Sequence, residues 1–161
     1  MNKRLGIFLM IFILFTLPVS ASMVSILLVE TGIPQETQSG RYSSLWEGGI
    51  MNAFFDAGHI VTNGPIARME KVPTAELNGP IEDDFYEAIY SGADYFVVGF
   101  LEFQAQGNRA VPKNIWLRIY STDSGKMLYQ SDFPAGSGRN LDEEYRIAQN
   151  AGRVIVSKLE G

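Results

Sequence analysis

The chain has 161 residues, a formal net charge of -5 and no cysteine. The missing thiols exclude disulfides, thiol catalysis and cysteine-ligated zinc. The acidic balance argues against nucleic acid, which needs a basic footprint, and against peripheral binding to anionic lipid.

Met1 to Ala21 reads as a secretory signal peptide. Lys3 and Arg4 form a positive start, Leu5 to Leu17 is an uncharged apolar run, Pro18 breaks any helix, and Val19-Ser20-Ala21 is a small-residue cleavage site. The run is shorter than the roughly 20 apolar residues a spanning helix needs. The alternative is an uncleaved N-terminal anchor, and contact with a membrane is expected only in that case. Cleavage after Ala21 leaves residues 22–161, enough for a single domain with a real core. Removing the leader takes two positive charges and no acid, so the charge moves from -5 to -7. Ser22-Met23 follow the cleavage site where a lipoprotein would carry cysteine, so no lipid anchor is expected. Export without cysteine fits a periplasmic protein better than a small secreted disulfide-rich domain.

Met23 to Glu30 is apolar on both faces and suits a buried central strand. Thr31 to Tyr42, with Gly32, Pro34 and Gly40, reads as a loop. Ser44 with Glu47 forms a capping-box pattern, and Trp46, Ile50, Phe54 and Ala57 recur at helical spacing up to a cap at Gly58. Gly48-Gly49 inside that helix costs about 1 kcal/mol each against alanine, which implies close backbone packing, most simply on the sheet. His59 to Thr62 is a short strand stopped by Asn63-Gly64-Pro65, and Ile66 to Asn78 is irregular except for a short strand near Ile66 to Met69.

Pro80 opens a second helix, with Glu82, Asp83 and Asp84 in its first turn, an apolar stripe of Ile81, Phe85 and Ile89, and Gly92 at its end. Asp94 to Phe103 is a long strand, and Gln104 to Lys113 a loose hairpin tip. Asn114 to Ser121 alternates, with Ile115, Leu117 and Ile119 on one face and Trp116, Arg118 and Tyr120 on the other. A tight turn over residues 122–126 leads into a strand from Met127 to Phe133. Asn140 and Glu143 cap the last helix, whose stripe is Leu141, Tyr145, Ala148, Gly152, Ile155 and Leu159. The predicted fold is α/β with α+β character in its second half. It is a single mixed sheet of about five strands with three helices, in the order β-α-β-α-β-β-β-α.

Four groups of residues invite a chemical reading. His59, the lone histidine, with Asp56 suggests a general base, but the sequence lacks the G-x-S-x-G elbow of a serine hydrolase. Glu82-Asp83-Asp84 offers oxygens to a hard cation, yet consecutive helix positions diverge by about 100° each. Gly136-Ser137-Gly138-Arg139 lies where backbone amides cradle an anion, but it matches neither the dinucleotide fingerprint nor the P-loop. Trp116, Arg118 and Tyr120 are residue types enriched at binding hot spots. They form a partner surface if no helix covers their face, and core if one does. The loop Thr31 to Tyr42 follows the carboxyl end of a central strand, where open α/β sheets place ligand crevices. It is either such a crevice or a surface loop without ligand.

The order of elements, the ILLVE strand directly after the leader, LWEGGIMNAFFDAGHIV, ADYFVVGFLEF and the LRIYSTDSGKMLYQ hairpin resemble a group of small periplasmic α/β domains. That group comprises the TolB N-terminal domain, the curli-secretion lipoprotein and the penicillin-binding-protein activator lipoproteins. The likeness extends over nearly the whole mature chain. The lipoprotein members are anchored through a cysteine that is absent here. The resemblance implies binding and assembly work in the envelope rather than catalysis. The expectation is therefore a non-enzymatic periplasmic interaction or assembly module without cofactor or metal. Its partner would be another envelope protein or itself, met through Gln35, Arg41, Trp116, Arg118 and Tyr120. The alternative is a periplasmic small-ligand or glycan-binding protein using the Thr31 loop and the Gly136–Arg139 turn. A hydrolase built on His59 is the third reading.

Overall fold

A computed structural model of the chain describes residues 21–33, 40–74, 77, 79–106 and 109–159. The elements are β1 (Met23–Thr31), α1 (Gly40–Asp56), β2 (Ile60–Asn63), β3 (Ala67–Met69), α2 (Pro80–Tyr90), β4 (Tyr95–Gln106), β5 (Arg109–Ser121), β6 (Met127–Pro134) and α3 (Leu141–Val156). They build one mixed sheet of six strands in the order β2-β1-β4-β5-β6, with β3 also paired to β1.

β1 is parallel to β2, β3 and β4, in registers such as Met23 with Ile60, Val29 with Ala67 and Val24 with Tyr95. β4, β5 and β6 form an antiparallel meander. The short strand expected near Ile66 to Met69 is β3, which raises the count from about five to six. β2 and β3 share one edge of β1, separated by Gly64 and by Pro65, which has no N–H to give to a ladder.

Alternation along β1 explains its unbroken apolar run. Val24, Ile26 and Leu28 join a core with Trp46, Ile50 and Phe54 of α1 and Ala148, Ala151 and Ile155 of α3. Leu27 and Val29 join a second core with Ile81, Phe85 and Ala88 of α2 and Phe96, Val98 and Phe100 of β4. α1 and α3 thus cover one face of the sheet and α2 covers the other.

Several local expectations change. α1 begins at Gly40, so Ser44 is an exposed position inside the helix and not its cap. Glu47, freed of a capping role, accepts from Asn63 Nδ2 at 3.1 Å. The helical pairing of Gly49 is with α3 instead of the sheet. A Cβ on Gly49 would sit 2.7 Å from Ala148 Cβ, and one on Gly152 2.7 Å from Ala53 Cβ. These glycines let the two helix backbones approach, which outweighs their low helix propensity. In α2 the stripe is Ile81, Phe85 and Ala88, while Ile89 is exposed. The residues expected in a loose tip extend β4 to Gln106 and open β5 at Arg109, because ladder bonds form whatever the side chains are. Pro112 is accommodated because β6 pairs β5 only from Asn114 onward. At α3 the Asn140 side chain accepts from the Glu143 N–H at 2.9 Å. The Glu143 carboxylate accepts from the Arg139 N–H and guanidinium instead of closing the box on Asn140, and those bonds hold it below its ordinary pKa.

Candidate functional site: two buried carboxylates and a cleft at the end of the central strand

Glu30 ends the apolar part of β1 and is 2% exposed. Its carboxylate accepts from Arg68 Nε of β3 at 2.7 Å and from the hydroxyl of buried Ser43 on α1. A charge so buried is tolerable only when paired and hydrogen-bonded. The bonds join α1 to the β3 edge at the carboxyl end of β1.

Glu144 is 1% exposed and belongs to the first turn of α3. It accepts from Trp46 Nε1 at 2.8 Å, from the Gly136 N–H at 2.6 Å and from the Gly138 N–H at 2.8 Å. One carboxylate therefore fastens α1, α3 and the connection out of β6. Gly136 has φ of 71°, and a Cβ there would run into the Pro112 carbonyl oxygen.

On the α2 side of the sheet, a cleft of about 370 Å³ opens at the carboxyl end of β1. Thr31 and Gly32 form one wall and Glu70, Lys71 and Val72 another. Glu102, Trp116, Arg118 and Gln130 form the floor along β4, β5 and β6. Arg118 organises it: Nε donates to Gln130 Oε1 at 2.7 Å, Nη1 to the Thr74 carbonyl and Nη2 to the Pro73 carbonyl, each at 3.0 Å. Its guanidinium carbon lies 4.8 Å from the centroid of the Phe100 ring. The arginine thereby holds the chain after β3 across the sheet. The cleft's volume falls in the range of small-molecule pockets, and its floor has one aromatic surface, Trp116, beside a few polar groups.

The expected partner surface divides. Of the two alternatives for this face, core and partner surface, Arg118 and Tyr120 take the first: they are buried, because α2 and the segment after β3 cover them, so neither is on a free surface. Burial pushes the Tyr120 phenol above its ordinary pKa of 10.0, against the opposing effect of Arg118. Trp116 is half-buried and lines the cleft. Arg41 is exposed in the first turn of α1, which packs on the opposite face of the sheet, and Gln35 lies outside the described residues.

The chemical candidates fare as follows. His59 packs its ring 5.8 Å from that of Phe54, with both ring nitrogens buried and unbonded. Asp56 accepts from Gln149 Nε2 at 3.2 Å, so the two do not form an acid–base pair. Glu82 and Asp83 are exposed, while Asp84 turns inward towards Gly64. Burial, with Glu87 and Asp83 nearby, raises the Asp84 pKa above 3.8. Among the described residues no three such groups cluster as metal ligands. The amides of Gly136 and Gly138, the proposed anion cradle, are already taken by Glu144.

Sequence reasoning missed both buried carboxylates. The available signal for Glu144 was its spacing, four and eight residues before the buried Ala148 and Gly152. Glu30 gave less warning, since an acid at a strand end is ordinarily solvated.

No family model and no curated protein matches the chain. Among solved structures it is similar to the PelC dodecamer from Paraburkholderia phytofirmans, with 13% identity, 88% of this chain and 89% of that chain covered, and a TM-score of 0.51. It is also similar to TolB from Acinetobacter baumannii, at 13% identity over 87% of this chain and 27% of that one, with a TM-score of 0.40. A third is the lipoprotein GNA1162 from Neisseria meningitidis, at 14% identity over 88% and 99% of the two chains, with a TM-score of 0.42. At such identities the likeness to PelC is one of fold: a single α/β domain shared along nearly the full length of both chains.

Proposed function

We propose that the chain is an exported, non-enzymatic envelope protein that serves as an interaction or assembly module, with copies of itself as its first partner. The observation that carries this reading is the open edge of the sheet. β6 runs for eight residues from Met127 to Pro134 and pairs only with β5. An unpaired edge of that length is a template for another strand unless it is blunted or covered. Here Asp132 is the one charge along it and Pro134 stands at its end. The β2–β3 edge lies at the other side of the same sheet, so edge-to-edge contacts can repeat from copy to copy. A protein of the same fold, PelC, is a dodecamer, which supports the reading.

A photo-crosslinking amino acid placed at Asp132 in the native host tests it. Adducts with a second copy, or with one defined envelope protein, are expected. A chain that stays free at Asp132 while folded and exported would remove the proposal.

The cleft favours a second reading, a periplasmic small-ligand or glycan-binding protein. Trp116 supplies a flat apolar surface on the floor, while Glu102, Lys71 and Gln130 supply polar contacts. This reading expects a defined ligand to raise the melting temperature by mass action, and Trp116→Ala to abolish that rise.

A further inference from the structure

The exposed large apolar side chains of the described residues are not scattered; they gather at one end of the molecule. β1, β2, β4 and β6 all start at that end, and β5 finishes there. The helices run back against the parallel strands, so their carboxyl ends lie there too. Phe55 is the penultimate residue of α1 and is 69% exposed. Tyr86, Ile89 and Tyr90 occupy the last five residues of α2, with Tyr90 86% exposed. Val154 is in the last turn of α3, Ile60 opens β2, and Met127 and Leu128 open β6; all are exposed. The opposite end is polar. It carries exposed Arg41, Glu82, Asp83, Gln104, Gln106 and Asp142.

The amino terminus leaves the fold at the apolar end. The Ser22 carbonyl accepts from the Ile60 N–H, and the Met23 N–H donates to Asp94. The apolar run Leu5–Leu17 ends five residues before Ser22. Even a fully extended chain spans no more than roughly 18 Å over that separation. Whenever the run sits in a bilayer, the start of β1 is held within that reach of the lipid.

From these two facts we infer that, in the chain that keeps its leader, the amino-terminal end of the sheet is a membrane-facing surface, whose exposed apolar side chains rest in the lipid interface. The inference concerns the orientation of the domain; it shares Ile60, Met127 and Leu128 with the edge strands β2 and β6, and is tested at Phe55 and Tyr90, which lie on helices away from both edges. Tyrosine is suited to the headgroup level, where its ring is apolar and its hydroxyl wet. Lys126, Arg153 and Lys158 lie at the same end, but Asp56, Asp94 and Asp123 offset them. Apolar contact, and not charge, therefore carries the interaction. A ring of separate side chains spread over the ends of three helices and two strands fits a broad deformable surface better than a compact protein patch.

The test uses the full chain in vesicles of phosphatidylethanolamine and phosphatidylglycerol containing a lipid-borne spin label. The chain has no cysteine, so a single introduced cysteine carries a unique fluorophore. Exposed positions off both sheet edges serve: Phe55→Cys and Tyr90→Cys at the apolar end, and Gln104→Cys at the polar end. Quenching at 55 and 90 several-fold stronger than at 104 is the expected result. Equal quenching at all three positions, or none, would overturn the inference. So would shielding of 55 and 90 from a water-soluble quencher without any quenching from lipid, which would make this end a contact between proteins.

Discussion

Replacing Glu144 with alanine removes the acceptor for three donors at once: Trp46 Nε1 and the N–H groups of Gly136 and Gly138. Trp46 is 0% exposed, so its indole N–H finds no water and costs about 1–3 kcal/mol unpaired. The two glycine amides lie nearer solvent and lose about 1 kcal/mol each. Relief from burying a charge offsets part of this. The net loss is about 3 kcal/mol, a large share of the roughly 5–15 kcal/mol available to a domain. With a urea slope of about 2 kcal/mol/M the midpoint falls by about 1.5 M. Glu144→Gln is milder, about 1–2 kcal/mol, because its oxygen can serve Trp46 and Gly136 while its amide faces the Gly138 donor. Trp46→Phe in the Glu144→Ala background deletes the stranded donor, so the double variant loses less than the sum by about 1 kcal/mol. Urea unfolding followed by circular dichroism reads all five proteins: the parent chain, Glu144→Ala, Glu144→Gln, Trp46→Phe and the double variant. A Glu144→Ala shift below about 0.5 kcal/mol, or strict additivity of the pair, would refute the reasoning.

Three further outcomes are expected. Gly152→Ala places a methyl 2.7 Å from Ala53 Cβ, and overpacking of about 1–3 kcal/mol outweighs the gain of about 1 kcal/mol in helix propensity. Ala53→Gly in the same chain relieves the closest contact but leaves the Ile50 backbone at 3.1–3.2 Å and adds its own helix cost, so it should make the loss less than the sum of the two single changes and not restore the melting temperature in full. Arg118→Met keeps an apolar stem over Phe100 but frees the Pro73 and Thr74 carbonyls, so limited proteolysis should cut within residues 70–78 before any helix opens; unchanged cleavage would contradict the strap role. Asp84 has a raised pKa, so the folded state binds its proton more tightly than the unfolded state, and its charge costs stability above the folded pKa. Asp84→Asn should therefore raise the melting temperature at neutral pH, with the gain vanishing as pH falls below 3.8; a gain that persists at low pH would show that charge is not the cause.

The order of elements was legible because each rests on local chemistry. Ile26, Leu28 and their alternate neighbours fill two cores, so β1 reads as a central strand. Pro80, Gly92 and Asn140 mark helix ends through fixed φ, positive φ and side-chain capping. What stayed hidden depended on distant partners. Gly49 looks like a helix defect until Ala148 is placed against it, 99 residues away in the chain. Arg118 resembles a hot-spot residue until the carbonyls of Pro73 and Thr74 cover it. Gly136-Ser137-Gly138 looks like an anion cradle until the chain's own carboxylate fills it. Exposed apolar residues at separate element ends converge only once the strands are aligned.

Sedimentation velocity of the exported chain, without lipid and over a wide range of concentration, tests the assembly reading most directly. A discrete oligomer is predicted, falling to monomer when Leu128→Lys and Asp132→Lys together set positive charge along the β6 edge. A single monomeric species at every concentration, indifferent to those substitutions, would contradict it.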